Sequence, residues 1–253
     1  MRSFVGTPSR LPRAGRTGPP GNPCSAWTLP EVLVAVGIIG ILGVLLLPAI
    51  SGIVRKQDGL ICLSNLRQIG LGIQSYALDH EGDLPGPLYT AQYPYLNDSS
   101  QLSFYLVDYL KLDASKTKYR HNDVFVCPAY RRSMKQIGNG PVYTLNIHVP
   151  MEGANTPQQP FGYPNKQYPA MFGAPKDFPV MKLARLGQIV DSNGLGAASR
   201  TWMLKDIDQE DRRLQELSLG ASSSFPKRRV HGDYRNAIFF DFHVEPVDRE
   251  VEN

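Results

Sequence analysis

The sequence predicts an α+β fold: one long N-terminal helix packed against a C-terminal head built on an antiparallel β-sheet. Three observations carry this. Val32–Val54 holds no charged side chain. In Leu60–Asp79 the apolar residues return at steps of three and four, the period of a helix with one buried face. Near the end of the 253 residues, Val230–Glu245 reads as a β-hairpin, rich in aromatic and β-branched residues on either side of a turn.

Taken in order, residues 1–26 are rich in Gly, Pro and Arg and lack hydrophobic periodicity, so they read as a disposable leader. Arg2, Arg10, Arg13 and Arg16 lie there with no acid beside them. The chain has 27 basic and 23 acidic residues; taking off these four leaves 23 of each, so the part after Ala26 is neutral. A neutral folded part argues against a nucleic-acid surface, which needs a basic patch there.

The apolar run predicts a transmembrane helix. As a helix, the nineteen residues Val32–Ile50 span about 28 Å, close to the hydrocarbon thickness of a bilayer. Four arginines precede the run, and Arg55 and Lys56 follow it. That asymmetry places the N-terminus in the cytoplasm and the head on the far side of the membrane. Thr28 and Glu31 have capping-box spacing: the hydroxyl can take a first-turn N–H, and the carboxylate can reach back to the Thr28 N–H. Pro30 falls in the first turn, where its missing N–H does no harm. A rival expectation treats the run as a secretory signal cut after Ala49-Ile50-Ser51, with Gly52 as the new terminus.

In the second half of the helix, Ile61, Cys62, Leu66, Ile69, Ile73, Tyr76 and Ala77 form the apolar stripe, and Ser64, Asn65, Arg67, Gln68 and Gln74 the polar side. Gly59, Gly70 and Gly72 weaken a helix and predict bends. His80-Glu81-Gly82-Asp83, with Pro85 and Pro87 beyond, ends it. The expected divisions are a leader over 1–26, a transmembrane helix over 27–54, an amphipathic extension over 55–82 and a head over 83–253.

Within the head, a short helix is expected over 100–111, and strands over Val124–Cys127, Val142–His148 and Thr201–Lys205. Pro150–Pro179 holds seven prolines and reads as a long surface loop. Its aromatics, Phe161, Tyr163, Tyr168 and Phe172, suit either ligand capture or loop packing. Asp206–Leu217 is charged and reads as a short helix or loop. In the hairpin, Ala237, Phe239 and Val244 are expected on one face.

Three cysteines are present: Cys24, Cys62 and Cys127. Loss of the leader leaves Cys62 and Cys127, which either pair in an oxidising compartment or stay as two buried thiols. His231, Asp233, Asp241 and His243 make the cluster most like an active site. Asp241 and His243 are two apart and point the same way on a strand; with His231 they either hold a metal or leave His231 and Asp241 to pin the hairpin by a hydrogen bond. The acids of Trp202–Asp208 suit either calcium or solvent, and surface solvation is the expectation. No G-x-S-x-G, P-loop, G-x-G-x-x-G or H-E-x-x-H occurs in a suitable context, so no enzyme, catalytic residue, metal or cofactor is expected.

Ala26, Trp27, Thr28, Leu29, Pro30 and Glu31 resemble the signature of type IV prepilins and type II secretion pseudopilins: a basic leader ending in Gly, then F-T-x-x-E, then an apolar helix. Ala26 stands for that Gly, Trp27 for the Phe, and Pro30 for an aliphatic residue. The resemblance implies cleavage between Ala26 and Trp27 by a prepilin peptidase and methylation of the Trp27 amine. It implies that Glu31, fifth after the cut, neutralises a neighbouring subunit's terminus, and that Pro48 kinks the helix. Cys62-x-x-Asn65-Leu66-Arg67-Gln68-Ile69-Gly70-Leu71 and Phe125-Val126-Cys127-Pro128 resemble pilin-like proteins of planctomycetes and verrucomicrobia. So does His231-x9-Asp241, followed by His243, although Phe242 stands where that group has Gly. A tight two-residue turn favours Gly where φ is positive, so either a Phe there costs about 1 kcal/mol or the turn differs in shape. The implied protein is a single-pass inner-membrane subunit of a secretion pseudopilus or related filament, with other pilin-like subunits as partners. A membrane-anchored binding protein for a glycan or peptide is the alternative from another class.

Overall fold

The computed structural model describes residues 27–113, 123–134, 140–164, 178–211 and 225–248, without the side chains of 46–51. Helix α1 spans Leu29–Asp79. The chain divides into two compact units, Met1–Pro48 and Ala49–Asn253.

In the first unit the helix begins on the expected polar box, with one difference. The Thr28 N–H donates to Glu31 Oε2 at 2.8 Å, as the spacing predicts, but the Thr28 hydroxyl donates to the same oxygen at 2.7 Å. Leu33, Val34, Val36, Ile39, Ile41, Val44 and Leu45 are all exposed, so no face of this segment is covered. Among the described residues no helix is long and apolar enough to cross a membrane. Residues 46–51 of the apolar run fall outside the described side chains, and Ile53 beyond them is exposed.

In the second unit, α1 presents Cys62, Leu66, Ile69, Ile73 and Ala77 to the core, each fully buried. Ser64, Arg67 and Gln68 face out, while Asn65 of the expected polar side is buried and Ile61 of the expected stripe is exposed. The helix runs through Gly59, Gly70 and Gly72 without interruption. These glycines make room for what packs on the helix. A Cβ at Gly70 would lie 2.5 Å from Ile238 Cδ1, and one at Gly59 would lie 2.8 Å from the Tyr234 hydroxyl. After Asp79 the Gly82 N–H returns to Ala77 O, and Glu81 takes a left-handed φ of 54°, the six-to-one closure of a helix C-terminus.

The sheet is antiparallel throughout: β1 (Ala91–Gln92), β2 (Tyr143–Leu145), β3 (Trp202–Asp206), β4 (Tyr234–Phe239) and β5 (Val244–Asp248), in that spatial order. The fold is therefore mixed α+β. Tyr143, Leu145, Leu204 and Ile238 join the α1 stripe in one core. Trp202, Ala237, Phe239 and Val247 form a second cluster. Ala237 and Phe239 thus share a face, but Val244 does not join them. It pairs with Ile238 and packs with the main core, because the turn is one residue longer than a tight two-residue turn.

Other elements depart from expectation. The segment expected as strand Val124–Cys127 forms a 3₁₀ turn, Asp123–Phe125, and leads into α3, Pro128–Ser133. Pro128 sits at a position that suits a helix start, and it cannot donate to a ladder. The helix expected over 100–111 shrinks to α2, Leu102–Tyr105. The proline-rich segment is not purely superficial. Val149, Met151 and Phe161 are core residues, and isolated bridges join Val149 to Gln158 and Tyr163 to Phe178. Tyr168, Phe172 and 212–217 lie outside the described residues.

Candidate functional site

Three distant pieces of sequence meet on one stretch of α1. Asp58, Cys62 and Asn65, spaced four and three apart, lie along one side of a helix, and each ties down the segment around Phe125–Pro128. Asp58 pairs with Arg132. Cys62 and Cys127 form a disulfide with their Cα atoms 5.1 Å apart. Asn65 Nδ2 donates to Asp123 O at 3.0 Å. The motif around Cys62 and the motif around Cys127 are therefore two halves of one joint.

The third piece is His231, just before β4. Its side chain is 1 % exposed. Nε2 lies 3.2 Å from Cys127 Sγ and 3.4 Å from Asp206 Oδ2. Tyr234 stacks on the imidazole at 5.5 Å with 10° between the planes, and Gly59 leaves room for both rings. Asp206, at the end of β3, puts Oδ1 3.8 Å from Cys62 Sγ. Its Oδ2 accepts from the Asn236 N–H at 2.9 Å. The ligand atoms of Cys62, Cys127, Asp206 and His231 all lie within 4.8 Å of one another.

Burial governs the charges here. It pushes the Asp206 carboxyl up to about 7, helped by the nearby negative Asp208 and opposed by the Asn236 N–H. It pushes His231 down to about 4. Tyr143, which pairs across the strands with Asp206, is driven well above its ordinary value by burial and then by the Asp206 charge. Its hydroxyl has no hydrogen-bond partner among the described residues.

The acids of Trp202–Asp208 are thus not solvated: Asp206 and Asp208 are buried. Asp208 takes both arms of the buried Arg235, at 2.6 and 2.8 Å, and Lys205 pairs with Asp211 at 3.0 Å. A buried carboxylate is tolerated only with such partners. Asp206 differs: among the described residues its partner at ion-pair distance is His231 rather than a lysine or arginine.

The expected grouping of His231 with Asp241 and His243 does not form. Asp241 and His243 pair with each other at 2.5 Å on the turn between β4 and β5, each over a third exposed. Nor do His231 and Asp241 pin the hairpin by a hydrogen bond. His231 is held instead by Asp206, which charge-rich sequence around it disguised as surface. The available signal was Trp202-Met203-Leu204, apolar on both faces as a central strand is. Among the leader and helix residues, Ala26 lies outside the described residues. Trp27 is exposed, and Pro48 falls within α1 but outside the described side chains. No protein-family model matches the chain, and searches of curated proteins and of solved structures return no match.

Proposed function

We propose that the chain is a pilin-like structural subunit of a type II secretion pseudopilus or related filament, anchored in the inner membrane by the apolar half of α1. One observation carries the reading: a helix that starts on a Thr28–Glu31 box and then exposes Leu, Val and Ile all round. Such a surface requires lipid or neighbouring helices. Glu31 is the single acid at its edge, and an acid there calls for a partner. The freed amine of Trp27 on a neighbouring subunit supplies one.

A long helix whose second half is covered by an antiparallel sheet supports the same reading. The alternative of a ligand-binding loop loses Phe161, which is buried in the core. Mass spectrometry of the N-terminus of the membrane-extracted protein tests the proposal. An N-methylated Trp27 is expected; a terminus at Gly52, or an uncut leader, overturns it. Glu31→Gln is expected to insert in the membrane normally but to be lost from filaments, read by cross-linking between subunits.

A further inference from the structure

The disulfide corner holds more than a disulfide needs. A buried S–S bond requires neither a carboxylate nor an imidazole beside it, and taking each out of water is unfavourable unless something compensates. Here both are buried and both face the two sulfurs. One ligand atom from each of the four residues lies within 4.8 Å of the others, with Cys127 Sγ 3.2 Å from His231 Nε2 and His231 Nε2 3.4 Å from Asp206 Oδ2, near the spacing of ligands about one ion. A tetrahedron with the usual zinc–sulfur, zinc–nitrogen and zinc–oxygen bond lengths has edges of about 3.3 to 3.8 Å.

We propose that when the Cys62–Cys127 disulfide is reduced, Cys62, Cys127, His231 and Asp206 bind one zinc ion, so that disulfide and metal are alternative cross-links at the same joint. Reduction frees the two sulfurs to move from bonding distance toward a tetrahedral edge. Either cross-link ties α1 to the 125–128 segment. The metal form ties in His231 and the end of β3 as well, and sets a cation directly against the Asp206 carboxylate.

The exchange balances. A dithiol reductant gives two electrons and two protons to the S–S bond and leaves as its own disulfide. The two thiols release two protons as zinc binds. In reverse, a disulfide-class oxidant takes two electrons from the two thiolates, the S–S bond forms and zinc departs. The ring stacked on His231 and the Asn236 N–H on Asp206 Oδ2 hold two of the ligands in place in both forms. The inference rests on the Ala49–Asn253 unit alone and stands whether or not the chain enters a filament.

Cobalt titration of the full chain in detergent micelles, reduced with a phosphine and freed of metal, tests it. One equivalent of Co²⁺ is expected to give the strong visible bands of a tetrahedral site and a near-ultraviolet thiolate charge-transfer band, both discharged by Zn²⁺. The oxidised chain is expected to give neither. His231→Gln and Asp206→Asn are each expected to weaken binding by at least about tenfold, while His243→Gln leaves it unchanged. If the variants fail to fold, X-ray absorption on the wild-type zinc form decides, with two sulfur and two lighter ligands expected. If the reduced chain unfolds, refolding with and without zinc replaces the titration, and rescue by zinc is expected. A folded reduced chain without the thiolate band, a band indifferent to His231, a zinc form without sulfur ligands, or no rescue by zinc overturns the proposal.

Discussion

The C-terminal hairpin carries a histidine–aspartate contact near each end, and the two have little in common. At its start, His231 meets Asp206 under Tyr234 and Gly59, with both side chains at most 3 % exposed. At its turn, His243 meets Asp241 in the open, close enough to Glu245 to swing between two acids. The second pair is local and could be read from a spacing of two. The first joins residues 25 apart (231 − 206) and depends on β3 lying beside β4. Chemistry follows the burial: water screens the exposed pair, whereas the buried corner feels every charge that is missing.

The largest expected difference between the two ends concerns the disulfide. A sequence separation of 65 closes a long loop, and releasing such a loop costs about 4 kcal/mol on the chain-entropy account. Cys62→Ala with Cys127→Ala is expected to lower stability of the oxidised chain by about that much in urea melts. Asp241→Ala, at the other end, is expected to change it by less than about 1 kcal/mol. Equal losses at both ends would break the comparison.

Next come the pH slopes. In the folded, metal-free chain Asp206 keeps its proton up to about 7, against an ordinary 3.8. Its contribution to stability is full below about pH 4 and is lost as pH rises through 7. His231 refuses a proton down to about 4, against an ordinary 6.5. Its contribution is full above about 6.5 and is lost as pH falls toward 4. The two nearly cancel between pH 4 and 6.5. Asp206→Asn therefore unmasks a stability that rises with pH there, by up to about 1.4 kcal/mol per pH unit, and His231→Gln unmasks one that falls. Denaturant midpoints across this range check both signs.

A smaller effect separates the glycines. Gly70→Ala gains about 1 kcal/mol of helix propensity but forces a Cβ against the buried Ile238. Overpacking of that kind costs about 1 to 3 kcal/mol, so a net loss is expected. Ile238→Val removes the clashing Cδ1. The double variant is expected to be more stable than the sum of the single changes by about 1 kcal/mol; simple additivity would mean that the helix and β4 are not in close contact there.

What was legible in the sequence follows from the range of the forces involved. The stripe Cys62, Leu66, Ile69, Ile73 and Ala77 was legible because a helix writes its buried face at a fixed local period. The strand at Trp202 and the hairpin were legible instead from strand-forming composition. Asp206 and Asp208 were not: what buries them is Arg235 and His231, which no local pattern links to them. The glycines were legible as helix weaknesses and illegible as packing sites, since the side chains that need the room lie some 170 residues away (234 − 59 = 175; 238 − 70 = 168). The segment Val124–Cys127 looked like a strand by composition, but Pro128 supplied a helix start that composition does not weigh.

The smallest expected effect is at Phe242. The turn is closed by the Phe242 N–H on Phe239 O at 2.9 Å, and the Phe239 N–H on His243 O at 3.0 Å. Residues 240–242 thus form a three-residue loop, the kind in which the third position is left-handed and favours Gly. Phe242 occupies it at φ 70°, which costs about 1 kcal/mol. The ring offsets this by packing on the main core, and a Cβ added at Gly70 would lie 3.6 Å from its Cδ1. Removing a half-buried Phe forfeits about 1 to 2 kcal/mol of transfer free energy. Phe242→Gly is therefore expected to leave stability within about 1 kcal/mol of the wild type, as relief of the backbone offsets loss of the ring. Phe242→Ala keeps the left-handed strain and loses the ring, so it is expected to be the less stable of the two. If Phe242→Ala matched Phe242→Gly in urea melts, the strain at this turn would be absent and the ring's contact with the core would account for the whole effect.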